Sequence, residues 1–427
     1  MRMIFERKGQ RSFEKNSHKQ QRYLQKIVVF VCSLLLLTGS FGLPVYAEDA
    51  VEEPGQLYAL SACLLDAENG RVLFQKEGDV KRANASTTKI LTLIVTLENG
   101  DFSDIVTVSA RAARQPDVQL NIKEGERYRL EDLCYSLMLE SHNDVAVAIA
   151  EHVGGSVEGF AALMNDKAKE IGCVQSYFIT PNGLDAEDEE GFHGTTAEEL
   201  AKIMAYCIKR SPQSEQFLKI TRTESYTFTD AEKTRHFTCQ NHNAFLHMME
   251  GVLSGKTGFT SDAGYCYVGA LERDGCTFIV ALLGCGWPGN KTYKWKDCKT
   301  LFSYGLENYS YEIFTRTPGQ WECGLPNGAS PDGNPYVVPV VTFSEEPMEP
   351  IGVILRKDEQ IVFEEQLELA TKAPVIAGQN YGSVSYYLEQ ADNKRVLLQK
   401  TEVLANTGVE EKNYLFCLRY LVKKIFY

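Results

Sequence analysis

At 427 residues the chain is too long for one ordinary core, so two domains are expected. Its 44% apolar and 24% charged content exclude a disordered chain and a many-pass membrane protein. The formal charge of −13 argues against nucleic acid as a partner, because a phosphate backbone is bound by clustered Lys and Arg.

The N-terminus departs from that acidic balance. Eight Lys/Arg against two acids precede Ile27, and the apolar run "IVVFVCSLLLL" (27–37) leads to Gly39, Gly42, Pro44 and "VYA". A basic head, a short apolar run and small residues at Val45 and Ala47 predict a signal peptide, residues 1–47, cleaved after Ala47. The alternative is an uncleaved anchor, for which the run is short. Losing this segment takes the formal charge from −13 to −19 and sends the body outside the membrane. Eleven of the twelve cysteines remain, an odd number without Cys-x-x-Cys or zinc-like spacing, so mainly free core thiols are expected, with one or two bridges left open.

Residues 52–74 read as a β-hairpin around an Asn-Gly turn. Helical spacing follows at 86–97, 130–141, 144–155, 157–172 and 197–210. Two β-rich runs around "ERDG" (272–275) form a second hairpin. This order predicts an α+β domain over 48–317, helices flanking an antiparallel sheet. The Gly/Pro/Asn-rich stretch 318–339 reads as a linker, and short strands over 340–406 as a small all-β sandwich or barrel. The tail, 407–427, ends in "NYLFCLRYLVKKIFY", five aromatics and three bases without an acid. It is too short and too charged to span a bilayer, and it suits the headgroup region of a membrane surface. The alternative is a terminal helix packed on its own domain.

Three elements carry the chemistry. Ser86 and Lys89 form Ser-x-x-Lys at a helix start, a pattern also present at Ser12 and Lys15 and weak alone. Ser141, His142 and Asn143 sit at a helix junction. Lys256, Thr257 and Gly258 in "SGKTGFT" lead into the antiparallel sheet; Glu250 stands where a phosphate-binding loop needs Gly. In "QNHNAFLH", His242 and His247 lack metal-like company and read as structural or cleft-lining; no metal or cofactor is implied.

In this order the three elements resemble those of penicillin-binding proteins and class A β-lactamases. Together with "LLDAENGRVLFQK", "TPNGLDAED", "TTAEELAKIM" and "APVIAGQNYGSV", the chain from about 55 to 405 resembles the low-molecular-mass penicillin-binding proteins that are D-alanyl-D-alanine carboxypeptidases, peptidase family S11. The resemblance implies a penicillin-binding/β-lactamase-like transpeptidase domain acting on stem peptides ending in D-Ala-D-Ala, with β-lactams as covalent inhibitors. Ser86 would be the acyl-enzyme nucleophile and Lys89, its pKa lowered by burial or by Lys256, the general base. The backbone N–H groups of Ser86 and Phe259 would form the oxyanion hole. Ser141 would relay a proton to the leaving amine, Asn143 would hold a substrate amide, and Lys256 and Thr257, beside Gly258, would bind the terminal carboxylate. His142 departs from the family's usual Gly; its side chain is expected to point away from the cleft.

Three other readings compete: a class A-like β-lactamase, a D,D-endopeptidase or transpeptidase, and an inactive wall-binding module. A class A lactamase needs a carboxylate in an E-x-x-L-N loop; "EELAK" (198–202) lacks the Asn, and neither the β domain nor the basic tail has a place there.

Overall fold

The computed structural model of the chain describes residues 53–426, so the expected signal peptide lies outside the described residues. Its first hairpin is β1 (Ser61–Asp66) and β2 (Val72–Lys76). A 3₁₀ turn, Ala85–Thr88, runs straight into helix α1 (Lys89–Asn99). Then come α2 (Leu130–Leu139), α3 (Asn143–Gly154), α4 (Val157–Ile171), α5 (Ala197–Ala205) and α6 (Ser214–Arg222). Strands β3 (Val252–Thr260), β4 (Gly264–Arg273) and β5 (Cys276–Leu283) precede α7 (Tyr293–Asn308). The strands form one antiparallel sheet in the order β2-β1-β5-β4-β3, as the two hairpin signals and the α+β expectation require.

Burial follows from this layering. Helix α1 is apolar on nearly every side, "KILTLIVTLEN", and residues 89 to 97 are all buried, as expected of a helix enclosed by others. Strand β5 is buried at every position because both its faces are covered. Ile279, Ala281 and Leu283 join the core shared with α1 to α5, while Phe278 on the other face meets Gly305 of α7. β3 is an edge strand, so one side of it is open toward the helices. All eleven described cysteines are free and nine are buried, so the core-thiol reading holds among the described residues and the bridges left open are absent there.

The stretch 318–339 is more than a linker. Strand β6 (Tyr309–Phe314) leaves α7 directly, and β7 (Gln320–Gly324) lies inside the supposed linker. Strand β7 pairs with β8 (Val340–Glu345), and β6 with β9 (Ile351–Arg356). With β10 (Gln360–Leu367), β11 (Asn380–Glu389) and β12 (Arg395–Ala405), the second domain is a five-stranded antiparallel sheet, β7-β8-β12-β11-β10, beside the two-stranded β6-β9 ladder. Gly and Pro punctuate strands as well as linkers, and "QWECG" is too short for period-two alternation to show. Inside, Glu345 has a fully covered side chain that accepts from Tyr386, Thr401, Arg316 and the N–H of Gly319, so the buried charge is paired and saturated.

An ion pair ties the β1–β2 turn to the β9–β10 turn. Arg71, in the β1–β2 turn, donates from Nη1 to both Glu359 oxygens at 2.9 Å and from Nη2 to the Ile354 carbonyl at 2.6 Å. Both side chains are nearly covered, so removing one partner strands a desolvated charge. Arg71→Ala is expected to lower unfolding free energy by about 3 kcal/mol. Guanidinium unfolding checks this, and a change below about 0.5 kcal/mol would place the pair among inconsequential surface bridges.

Candidate active site

The Ser-x-x-Lys spacing works here through a tighter turn than an α-helix. Ser86 lies in the 3₁₀ turn 85–88 and Lys89 opens α1. In a 3₁₀ turn, residues i and i+3 eclipse one another, which lines up the two side chains. Lys89 Nζ lies 2.9 Å from Ser86 Oγ. Ser86 is not the cap of the turn; that position is Asn84, whose side-chain amide donates to the hydroxyls of Thr87 and Thr88.

Lys89 is wholly buried, and its ammonium form is disfavoured first by desolvation and second by the charge of Lys256, which holds its pKa well below the ordinary lysine value. Its nitrogen has two further neighbours, Asn143 Oδ1 at 2.9 Å and the Asn182 carbonyl at 2.7 Å. A neutral amine has two N–H bonds and one lone pair. In that form the two carbonyl oxygens would take the two N–H groups and the lone pair would face the serine hydroxyl, whereas the ammonium donates to Ser86 Oγ as well. The surroundings of Lys89 therefore favour its neutral form and fix its orientation.

The second element forms the junction between α2 and α3. Ser141 has φ +70°, a left-handed conformation unusual for serine, and this turns its hydroxyl to Lys256 Nζ at 2.9 Å. Asn143 uses its amide within the protein. Its oxygen accepts from Lys89, and its NH₂ donates to the carbonyls of Pro116 and Asp117, so in this state it is a positioning residue. His142 is buried, with Nδ1 2.8 Å from Ser136 Oγ, and burial lowers its pKa; as expected, it points away from the cleft. The adjacent Asp144 accepts from the N–H groups of Leu120 and Ile122, which pins the 115–122 loop at the cleft wall.

The third element is on the β3 edge. Lys256, Thr257, Gly258 and Phe259 pair with Val268, Tyr267, Cys266 and Tyr265 of β4. Lys256 Nζ donates to Ser141 Oγ and, at 2.8 Å, to the Thr257 carbonyl, leaving a third donor for a ligand. Burial brings its pKa down to about 7. Gly258 is required by proximity: a Cβ there would lie 2.9 Å from the Ser86 nitrogen and 3.0 Å from that of Thr87. The strand carrying Phe259 is thus pressed against the backbone of the serine turn, the arrangement an oxyanion hole needs.

Sequence reasoning missed the floor of the site. The Asn182 carbonyl receives Lys89, the Pro181 carbonyl receives Thr92 Oγ1 at 2.6 Å, and Asn182 Nδ2 donates to Gln115. Gly183, at φ +82°, lets this loop pass the serine turn, since a Cβ there would stand 2.0 Å from the Ala85 carbonyl. His193 braces the other side, with Nε2 2.9 Å from Thr88 Oγ1 and Nδ1 accepting from the Ile179 N–H. The signal was present in "TPNGLDAED", but a backbone carbonyl has no side-chain signature.

The cleft over these residues encloses about 540 Å³. Ser86, Ser141, Lys256 and Thr257 line it, with Phe259, His242, Lys291 and Lys294 nearby. The one carboxylate in its wall is Glu140, which is engaged by His242 Nε2 at 2.6 Å and by the Gln240 N–H. No group of His, Cys, Asp or Glu suited to a metal ion occurs among the described residues.

A serine hydroxyl 2.9 Å from a buried lysine amine, with a second lysine bonded to a second serine, is the arrangement that serine acyl transfer with a lysine base requires. The family model for D-alanyl-D-alanine carboxypeptidase, peptidase S11, matches residues 47–286, and the chain belongs to that family. It is 28% identical over 364 residues to D-alanyl-D-alanine carboxypeptidase DacF of Bacillus subtilis, covering 83% of this chain and 85% of the relative. It is 30% identical over 242 residues to DacB2 of Mycobacterium tuberculosis, covering 56% and 80%. Among solved structures, penicillin binding protein 5 of Haemophilus influenzae superposes with a TM-score of 0.61 at 25% identity, over 84% of this chain and all of that one.

Gly258→Ala should leave folding intact and lower acylation by β-lactam by at least about a hundredfold, because the added methyl pushes β3 off the serine turn. Stopped-flow acylation with a reporter β-lactam, beside a thermal melt, measures both; unchanged acylation would contradict the close-approach argument.

Proposed function

We propose that this protein is a serine D-Ala-D-Ala carboxypeptidase that removes the terminal D-alanine from peptidoglycan stem pentapeptides on the outer side of the cell membrane. The carrying observation is the buried Lys89, 2.9 Å from Ser86 Oγ and bonded to two carbonyl oxygens, with its pKa lowered by burial and by Lys256. As Ser86 Oγ attacks the carbonyl carbon of the penultimate D-Ala, its proton passes to Lys89. The developing oxyanion is met by the N–H groups of Ser86 and Phe259. When the C–N bond breaks, the departing D-Ala nitrogen takes a proton relayed through Ser141, which Lys256 holds in place. Lys256 and Thr257 hold the terminal carboxylate, and this selects a free C-terminus. Water then attacks the acyl-enzyme, with Lys89 again as base, and frees the tetrapeptide. A β-lactam acylates Ser86 in the same way, but its leaving nitrogen remains tethered.

A β-lactamase reading is disfavoured by the cleft wall. Among the described residues its only carboxylate, Glu140, is bound to His242 and the Gln240 N–H, so none of them stands ready to activate water as a class A enzyme requires. The pairing of Ser86 with Lys89 and of Ser141 with Lys256 along one cleft likewise favours an enzyme over an inactive wall-binding module.

Attachment to a membrane surface through the tail is part of the proposal. What supports it is the helix α8 (Tyr414–Phe426), which turns Leu415, Leu418, Val422 and Ile425 outward while Phe416 and Tyr420 are half-covered. A helix packed only to fill its own domain would turn its apolar face inward. No described helix is long and apolar enough to cross a membrane.

Ser86→Ala is expected to reduce D-alanine release from a pentapeptide by at least about a thousandfold and to abolish penicillin labelling, in a folded protein; unchanged release would refute the assigned nucleophile. The pH profile follows from the lysines. Lys89 must be neutral, so activity rises with pH through its depressed pKa; Lys256 must be charged to bind carboxylate, so kcat/KM falls as pH passes its free-enzyme value. That alkaline limb should lie displaced from 10.5 toward 7 and move upward in kcat, where bound carboxylate stabilises the charge. An alkaline limb at the ordinary lysine value in kcat/KM would contradict this.

A further inference from the structure

We infer that the cavity between α8 and the 332–338 loop is a seat for the phosphate of an anionic lipid headgroup, with the loop entering the membrane surface beside the helix. This rests on the membrane reading above and adds a site to it. The cavity encloses about 610 Å³, lined by Arg419, Lys423 and Lys424 from the helix and by Asp332 and Gly333 from the loop, with Phe416 and Tyr420 between. Three cations face one carboxylate, and Asp332 is already engaged by Ser330 Oγ at 2.6 Å and the Asn334 N–H at 2.9 Å. Among the described residues no carboxylate lies within 4.0 Å of those three cations. In a chain of net charge −13, a cluster so arranged fits an anion from outside.

The loop supplies the second half of the argument. Tyr336 is 81% exposed, and Val337, Val338 and Val340 are exposed after it, an apolar run too concentrated for an ordinary surface loop. It is held beside the helix: the Tyr336 ring meets the Tyr420 ring edge-on at 6.0 Å, and Lys412 Nζ donates to the Pro335 carbonyl at 3.1 Å. Apolar side chains of loop and helix therefore flank a basic cavity, as a headgroup seat between two inserted elements requires. Free phosphate would satisfy the cations but gives no reason for the exposed valines, so a lipid is the occupant the surface fits.

The test is flotation of the full chain with vesicles of phosphatidylcholine alone or containing 30% phosphatidylglycerol, comparing three variants. Arg419→Gln/Lys423→Gln/Lys424→Gln should weaken binding to the anionic vesicles by on the order of a hundredfold, with D-alanine release from soluble peptide unchanged. Lys357→Gln/Lys372→Gln/Lys394→Gln, which removes the same charge from exposed sites elsewhere on the β domain, should weaken it less than fivefold. Tyr336→Ser/Val338→Ser should lower binding to both vesicle types by about tenfold. Equal loss in the two triple variants would reduce the effect to net charge and overturn the site. Competition by millimolar inorganic phosphate equal to that by the vesicles would overturn the lipid as occupant. Truncation after Lys412 separates the readings: if it abolishes binding while the cavity variant binds normally, the headgroup seat is wrong and the membrane tail stands. If truncation changes nothing, the membrane reading itself fails.

Discussion

The site depends on keeping one amine uncharged. Lys89 is enclosed on all sides, lies near a second lysine, and is given two carbonyl acceptors rather than a carboxylate. A carboxylate in place of the Asn143 amide would hold the proton on the lysine and remove the base. Much of the helical domain follows from that constraint. Helix α1 is buried on all faces so that its first residue is desolvated. The Pro181–Gly183 loop crosses the serine turn at a distance only glycine permits, and α3 begins with Asn143 so that its side-chain oxygen reaches the amine.

Lys256 shows the same principle with the opposite requirement. It is also buried, but its neighbours are a hydroxyl and a carbonyl that a cation can use, and it keeps a donor free toward the cleft. The two lysines therefore differ in function through what surrounds them. Their mutual repulsion helps to keep Lys89 neutral. A left-handed Ser141 stands between their two hydrogen-bond systems, and local backbone strain there is consistent with a position fixed by function.

Most of this was legible in the sequence where side chains carry the chemistry. Ser86, Lys89, Ser141 and Lys256 could be found by residue type, order and context, and the hairpins around Asn69-Gly70 and Asp274-Gly275 mark four of the five strands of the antiparallel sheet. Where backbone atoms do the work, residue type is silent: the Asn182 carbonyl under Lys89 has no signature. The 3₁₀ character of residues 85–88 is likewise invisible to helical spacing, since i and i+3 share a face in both helices. The linker was misread because Gly and Pro in 318–339 surround a five-residue strand that only its partner β8 reveals. At the tail, composition gave an amphipathic helix, but not which face would be docked; that depended on the loop carrying Tyr336.

The protonation of Lys89 in the resting enzyme tests the account most directly. With lysine side chains labelled at Nζ, NMR of the full protein, with Lys89→Arg to assign the resonance, reports whether that nitrogen is an amine or an ammonium. The account predicts a neutral amine at pH 7 to 8, in a protein whose surface lysines are charged. An ammonium resonance titrating near 10.5 would contradict it.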